Sequence, residues 1–219
     1  MTNIAKGLRS LKLNALTNEL LYAFQADILE FRNTFGLGVM TEFTTVDDDL
    51  HTSLITEEMK EYGEAECHVD RADALVDSVY VLMGRYVHQM GTSKAFSYNL
   101  TPILYMVDVL IQTSNSFGYD FKACWDNIHA SNMSKVCKSE EDAQTTVQSY
   151  LSDDIDTDYR QVGDYWVVFK NGDSADIKHG KVLKSIYYTP ADLELVLYGN
   201  VLESRTTFGL GVKAELTTS

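Results

Sequence analysis

Two acid-bearing helical segments, separated by only a few residues, constrain this chain more than any other feature. They lie within residues 54–80, LITEEMKEYGEAECHVDRADALVDSVY. The acids on them are Glu57, Glu58, Glu61, Asp70, Asp73 and Asp77. Spacings of three, four and seven residues place side chains on one face of an α-helix. The pattern therefore predicts a carboxylate face on each of two neighbouring helices.

Apolar residues follow the same segments at helical spacing, which predicts that the two helices pack together as antiparallel neighbours. Carboxylates brought together in this way raise one another's pKa, and a divalent cation removes that conflict. Mg²⁺ or Mn²⁺ suits such oxygen ligands, and Mg²⁺ commonly binds substrate phosphates as well. The residues alone leave a second interpretation open, in which the acids form a solvated face and pair with bases such as Lys60 and Arg71.

The motif EExxE, followed by a helix with the sequence DALVDxxY, resembles the all-α nucleoside triphosphate pyrophosphohydrolases. This group includes MazG, the dimeric dUTPases and phosphoribosyl-ATP pyrophosphohydrolase. Three further stretches resemble the group: DILEFRNTFG at 27–36, IHASNMSK at 128–135 and GKVLKSIYYTP at 180–190. Their order is similar to that in MazG-like proteins often encoded by bacteriophages. One departure is Ala74, which stands where the family's ExxD motif has its first acid.

The resemblance implies a Mg²⁺-dependent enzyme that converts a (d)NTP and water to a (d)NMP and diphosphate. Glu58, Glu61 and Asp77, together with Glu57 and Asp73, would hold the Mg²⁺ ions, and Mn²⁺ is a substitute. These ions would neutralise phosphate charge and lower the pKa of an attacking water. Glu58 and Glu61 are the catalytic candidates, because one of the glutamates would act as general base.

The resemblance also implies a set of substrate contacts. They are Asp27, Phe31, Asn132, Lys135, Lys181 and Lys184. An amide can read a base edge or a sugar hydroxyl, and an ammonium group can bind phosphate. Without the resemblance, Asn132 and Lys135 are an exposed polar strip, and the two later lysines protect a strand edge against aggregation.

The predicted fold is mostly α: a MazG-like bundle of four to five helices with a small C-terminal β-hairpin appendage. The first helix is expected from Thr17 to Gly36. The second and third are the acid-bearing pair, which begins after the acids at 47–49 and ends near Gly91. Two more helices are expected, one over 97–114 and one over 120–136. The polar, acidic segment 138–163 indicates a linker. A strand over 164–170, followed by Asn171-Gly172, predicts a hairpin that returns over 176–185. Residues 1–16 form an N-terminal extension, 17–137 the catalytic domain, 164–192 the hairpin and closing segment, and 193–219 a tail.

Composition limits the partners and the compartment. The chain of 219 residues carries 18 Lys and Arg against 32 Asp and Glu, so nonspecific binding to nucleic acid is not expected. Its three cysteines are odd in number and widely spaced, which favours reduced thiols in a cytoplasm, including a host cytoplasm. A zinc site that combines them with His68, His129 or His179 lacks ligand spacing. No apolar run reaches membrane-spanning length, so no membrane partner is expected.

The C-terminal tail contains a near-repeat of an earlier segment. RTTFGLGVKAELTT at 205–218 is almost the same as RNTFGLGVMTEFTT at 32–45. We interpret it as a partial duplication that occupies a surface like the one met by the first copy, in the same or a neighbouring subunit.

A homodimer or homotetramer is the expected assembly, because apolar faces left over by the bundle would be buried between subunits. Two other functions remain open from the sequence. One is a narrow dUTPase or dCTPase, and the other is a noncatalytic nucleotide-binding or interaction protein on a MazG-like scaffold.

Overall fold

A computed structural model describes residues 11–38, 42–92, 98–172 and 179–199 of the chain. The protein is mostly helical with one small antiparallel sheet, which confirms the predicted fold class. Its elements, in chain order, are α1 (Asn18–Thr34), α2 (Thr45–Glu64), α3 (His68–Gly91), α4 (Thr101–Ser116), α5 (Phe121–Met133), α6 (Glu140–Ser152), β1 (Thr157–Val162), β2 (Tyr165–Lys170) and a short α7 over 193–199. Within the described ranges, no helix combines the length and apolarity that crossing a membrane requires.

Capping side chains fix where several helices begin. Thr17 accepts a hydrogen bond from the Leu20 N–H and starts α1, as predicted. Asp120 starts α5 in the same way. Thr44 and Asp47 form a reciprocal capping box, so α2 begins at Thr45. The acids at 47–49 therefore lie inside α2 rather than before it, and Asp47 and Asp48 in its first turn interact favourably with the helix dipole.

The long helix α3 lies at the centre of the main core and contacts α1, α2, α4 and α5. Its residues Leu75, Val79 and Met83 are fully buried. Phe24 of α1 and Trp125 of α5 complete the core, with ring centroids 4.0 Å apart. Because α3 contacts helices around it, only the remaining stripe of its surface is available to line a site.

A second, smaller core lies in the region predicted to be a linker, so that prediction is wrong. Residues 138–163 contain α6 and strand β1 rather than a structureless connection. Ser139 and Asp142 form a capping box, and Ala143 packs with Cys137, Val168 and Leu183. The acids of this segment lie at the two ends of α6, which explains why they suggested a linker. Glu140, Glu141 and Asp142 occupy the first turn, and the exposed Asp153, Asp154, Asp156 and Asp158 follow the last turn.

The β-hairpin exists, and its strand β2 has partners on both edges. β2 pairs with the preceding β1, which was not predicted, with Thr157 opposite Lys170 and Val162 opposite Tyr165. The turn between them is Gly163-Asp164, where Gly163 has a φ of 58°. The chain after Asn171-Gly172 returns along the other edge of β2, as predicted. Among the described residues it forms a bridge between Phe169 and Val182 and three backbone hydrogen bonds of 2.9 Å, from Gly180 to Lys170, from Lys170 to Lys181 and from Leu183 to Val168. Residues 173–178 of the predicted return lie outside the described part of the chain.

The first copy of the repeated segment joins α1 to the hairpin. Phe35 is fully buried, and Arg160 of β1 donates to the carbonyls of Phe35 (3.2 Å) and Gly36 (3.1 Å). Gly36 has a φ of 63°, and a Cβ there would lie 2.9 Å from a Val162 methyl carbon. Glycine is therefore required at this contact for two reasons. The second copy, at 205–218, lies outside the described residues.

A carboxylate from α4 holds the segment before α1 in place. The side chain of Asp108 is buried, and its Oδ1 accepts from the backbone N–H groups of Asn14 (2.9 Å), Ala15 (2.7 Å) and Leu16 (2.7 Å). Three donors on one carboxylate oxygen tie this part of the N-terminal extension to the bundle.

Replacing Asp108 with alanine should lower the free energy of unfolding by about 3 kcal/mol, because it leaves backbone donors buried without an acceptor. Urea denaturation would measure the change. Asp126→Ala is the control, since Asp126 pairs with Lys122 on the exposed face of α5. Equal stabilities for the two variants would show that the N-terminal segment has no need of the Asp108 carboxylate.

Candidate metal and phosphate site

A cavity of about 560 Å³ lies between α1, α2, α3, α5 and the segment 180–191. Its volume is within the range typical of small-molecule sites. Ten of the eleven residues predicted from the sequence line it. They are Phe31, Glu57, Glu58, Glu61, Asp73, Asp77, Asn132, Lys135, Lys181 and Lys184.

The five carboxylates come from the two helices that the sequence predicted to be neighbours. Helices α2 and α3 are joined by a short turn, with Cys67 as the N-cap of α3. Glu57, Glu58 and Glu61 therefore face the cavity from α2. Asp73 and Asp77 face the same cavity from the first half of α3. Asp70 belongs instead to the capping box that begins α3.

The carboxylates strongly perturb one another. Burial, followed by the charges of Asp77, Glu61 and Glu57, raises the pKa of Glu58 to about 8. Burial and the charge of Asp73 raise the pKa of Asp77 to about 7. Burial and the charge of Glu61 also raise the pKa of Asp73. The positive charges that line the cavity are therefore too few to stabilise all five carboxylates as negative ions.

Lysines and an amide line the same cavity from other elements. The Lys181 Nζ lies 2.7 Å and 2.8 Å from the two carboxylate oxygens of Glu57. The Lys135 Nζ donates to the Asn132 Oδ1 (2.6 Å), and burial lowers the pKa of Lys135. The Lys184 Nζ lies 4.7 Å from the centroid of the Tyr188 ring. Three ammonium groups beside carboxylates provide binding charge for a phosphate chain.

Carboxylate oxygens are the ligands that a hard divalent cation prefers, and five carboxylates line this cavity. The pKa of three of them is raised, so a cation bound there would stabilise their ionised form. In the side-chain arrangement of the structure, these acids do not bring three ligand atoms within 4.8 Å of one another. Among the described residues, such a group is formed by Asp27, Glu30 and His129. No cysteine belongs to it, and the three cysteines are free.

Asp27, the remaining predicted substrate contact, is not among the residues that line the cavity. The indole N–H of Trp125 donates to its Oδ2 at 2.7 Å. Phe31, one turn further along α1, does line the cavity, and its ring packs on Phe35 with centroids 4.3 Å apart. Asp27 therefore holds α1 against α5 through its hydrogen bond with Trp125, in place of the predicted contact with the substrate.

Several lining residues were not predicted as site residues. Tyr80 follows Asp77 by one turn of α3, and its hydroxyl lies 3.0 Å from the His129 Nδ1. Ser131 donates to the hydroxyl of Tyr188 at 2.9 Å. The position of Tyr80 follows from the spacing that placed Asp73 and Asp77 on one face of α3. Tyr188 lies in the stretch 180–190 that resembles the family, but helical spacing could not place it at the cavity, because it comes from a distant segment.

Two neutral histidines stand at the other end of the cavity. The His51 Nε2 lies 3.3 Å from the His88 Nδ1, and both side chains are buried. Burial, followed by the charge of Arg32, lowers the pKa of His51 to about 3 and that of His88 to about 4. Both imidazoles are therefore uncharged at neutral pH.

Comparisons with known proteins leave the family of this chain open. No family model matches it, and no solved structure matches it. It is similar to a protein of Acanthamoeba polyphaga mimivirus described as "Uncharacterized protein L479", with 34% identity over 97 residues. The match covers 42% of this chain and 36% of the viral protein's length. The relative is viral, and its description states no activity.

Proposed function

We propose that this chain is a Mg²⁺-dependent nucleoside triphosphate pyrophosphohydrolase that converts a (d)NTP and water to a (d)NMP and diphosphate. One observation carries the proposal: five carboxylates from α2 and α3 share a cavity with three lysines and an amide from later elements. The resemblance of the EExxE and DALVDxxY motifs to the MazG-like enzymes supports the same reaction.

Glu58, Glu61 and Asp77, with Glu57 and Asp73, would hold Mg²⁺, or Mn²⁺ in its place. The cation neutralises phosphate charge and lowers the pKa of a bound water. Lys181, Lys184 and Lys135 bind the phosphate chain by charge.

Glu58 or Glu61 takes the proton from the attacking water. The new bond joins the water oxygen to the α-phosphorus, and the bond that breaks joins this phosphorus to the oxygen that bridges it to the β-phosphorus. The electron pair of that bond stays on the bridging oxygen, which leaves with the diphosphate, so the products are the monophosphate and diphosphate. The proton acceptor has to be ionised, and a bound cation would stabilise the ionised form of these carboxylates.

The assay that tests the proposal supplies purified protein with the common ribo- and deoxyribonucleoside triphosphates in turn, with Mg²⁺ and with EDTA. We expect diphosphate to be released only when Mg²⁺ is present, together with an equal amount of the nucleoside monophosphate. Release of inorganic phosphate together with a nucleoside diphosphate would contradict the proposed reaction. Activity confined to dUTP or dCTP would identify the narrow enzyme instead.

A noncatalytic nucleotide-binding protein is the second candidate, and one observation favours it. Lys181 already neutralises Glu57, and the acids do not bring three ligand atoms within 4.8 Å of one another among the described residues. Nucleotide binding without diphosphate release would support this candidate over the enzyme.

We also propose that the protein forms a homodimer or a homotetramer through α4. Tyr105, Met106 and Val109 are large apolar side chains exposed on that helix, with exposed fractions of 41%, 44% and 57%. Burying them between two copies would remove apolar surface from water. Light scattering should then give a mass that is twice or four times the 24.7 kDa of the chain, and the mass of one chain would rule the assembly out.

A further inference from the structure

The polarity of the cavity changes along both helices that form its walls. On α2 the lining residues run from Glu61 and Glu58 to Leu54, Leu50 and His51. On α3 the lining residues change in the same sense. They run from Asp73 and Asp77, through Tyr80 and Val81, to Gly84 and His88. Because the helices are antiparallel, the carboxylates predicted from the sequence share one end of the cavity. The opposite end, called here the histidine end, is lined by His51, His88 and apolar side chains, together with Arg32 and Asp47. Both of these charged groups are paired with neighbouring segments, because Arg32 donates to the carbonyls of Leu37 and Gly38 and Asp47 accepts from the Thr44 N–H.

The two ends are far enough apart to hold different parts of one ligand. Seven residues separate His51 from Glu58 on α2, and seven separate Asp77 from Gly84 on α3. Each interval is about 10 Å along a helix that rises 1.5 Å per residue. A nucleotide held by its phosphates at the lysines would therefore extend along the groove toward Gly84.

Gly84 leaves open space at the histidine end. It lies inside α3, where glycine costs about 1 kcal/mol relative to alanine. A Cβ at this position would meet only the His51 Cε1, at 3.9 Å, which is ordinary van der Waals contact. The missing side chain therefore relieves no clash and instead widens the cavity beside a flat imidazole.

The histidine end also retains an unused hydrogen-bonding atom. The His51 Nδ1 is buried and has no hydrogen-bond partner among the described residues. Phe31, Leu50 and Leu54 supply the neighbouring apolar surface. Few polar atoms among apolar and aromatic side chains are typical of pockets that bind flat organic rings. The Arg32 guanidinium is already bound to the backbone carbonyls of Leu37 and Gly38.

From these observations we infer that the histidine end of the cavity, over Gly84 and beside His51, binds the nucleobase of a nucleoside triphosphate as a flat, uncharged heteroaromatic ring. The inference rests on the proposed function for the identity of the ligand. It goes further in assigning the two ends of the cavity to the two parts of the substrate.

Two substitutions at Gly84 test the inference. Gly84→Leu places a branched side chain in the open space, whereas the methyl group of Gly84→Ala fits there and serves as the matched control. The affinities of non-hydrolysable α,β-imido analogues of the common nucleoside triphosphates, and of inorganic tripolyphosphate, are measured by calorimetry with Mg²⁺. Relative to G84A, we expect G84L to bind nucleotides at least about tenfold more weakly and tripolyphosphate within about twofold. Circular dichroism checks the fold, and Val81→Phe, which narrows the same end, replaces G84L if that variant does not fold.

The outcomes separate this inference from the proposed reaction. Equal nucleotide affinities for G84L and G84A would overturn the inference, and so would equal losses for nucleotides and tripolyphosphate. A wild-type protein that binds tripolyphosphate as tightly as nucleotides would also overturn it. If nucleotides bind but no diphosphate forms, the proposed reaction fails, and the comparison of the two variants still decides where the base lies.

Discussion

Replacing Glu61 with glutamine is expected to reduce diphosphate release by about a thousandfold or more, while the fold is retained. Glu61 is exposed to the cavity, and its negative charge acts on both Glu58 and Asp77. The amide of glutamine has nearly the same shape but cannot take a proton from water or contribute negative charge to a cation site. The loss should appear in the turnover number at saturating nucleotide with Mg²⁺.

The matched control for this prediction is Glu64→Gln on the same helix. Glu64 does not line the cavity between α2 and α3, and it lies on the surface 3.9 Å from Lys60. Its substitution should leave both the turnover number and the melting temperature near those of the wild type. Full activity of E61Q would remove Glu61 from the site, and an equal loss in both variants would point to the charge of the helix rather than to one carboxylate.

Helix positions could be predicted because their signals are local. Thr17 and Asp120 are capping residues next to apolar residues at helical spacing, and the structure begins α1 and α5 directly after them. The first turn of α6 carried an equally local signal, the Ser139 and Asp142 capping box. Its neighbouring acids resembled a linker because the residues that bury α6, such as Val168, lie beyond it in the chain.

Strand pairing could be predicted on one edge of β2 and not on the other. Asn171-Gly172 is a strong local turn signal, and the chain after it does return to β2, with three backbone hydrogen bonds over 180–183. The preceding strand, Thr157–Val162, pairs with β2 over its whole length. Its acidic and polar side chains indicated a linker, so this second pairing was missed.

The carboxylate end of the cavity could be predicted because helical spacing places Glu58, Glu61 and Asp77 on facing surfaces of two helices joined by a short turn. The histidine end could not. His51 and His88 meet only because α2 and α3 are packed along their length, and their neutral state depends on burial. Asp27 was assigned to the substrate by the family resemblance, and sequence spacing gives no sign of its partner Trp125 on α5.

Raising the pH from about 5.5 to about 8.5 in EDTA is expected to lower the stability of the protein. The pKa of Glu58 rises from 4.5 in the unfolded chain to about 8 on folding, and that of Asp77 from 3.8 to about 7. A carboxylate whose folded pKa is raised contributes stability that is present below its unfolded pKa and lost as the pH rises through its folded pKa. The loss therefore falls between about pH 4.5 and 8.

The histidines act in the opposite sense at lower pH. Folding lowers the pKa of His51 from 6.5 to about 3 and that of His88 from 6.5 to about 4. Their contribution is present above pH 6.5 and is lost as the pH falls toward the folded values. The two opposing effects place the stability maximum of the metal-free protein near about pH 5.5.

Glu58→Gln separates the carboxylate effect from the rest of the pH dependence. The shift at Glu58, at about 1.4 kcal/mol per pKa unit and reduced for water in the open cavity, corresponds to about 2–3 kcal/mol. Wild-type protein should therefore lose about 5–10 °C of melting temperature across the alkaline range relative to E58Q. E64Q should keep the wild-type slope, because Glu64 is exposed.

Mg²⁺ added to wild-type protein should flatten the slope, since a bound cation stabilises the ionised carboxylates. Parallel curves for wild type and E58Q in EDTA would show that Glu58 titrates as an ordinary surface carboxylate and that the acids of α2 and α3 do not share a cavity in solution.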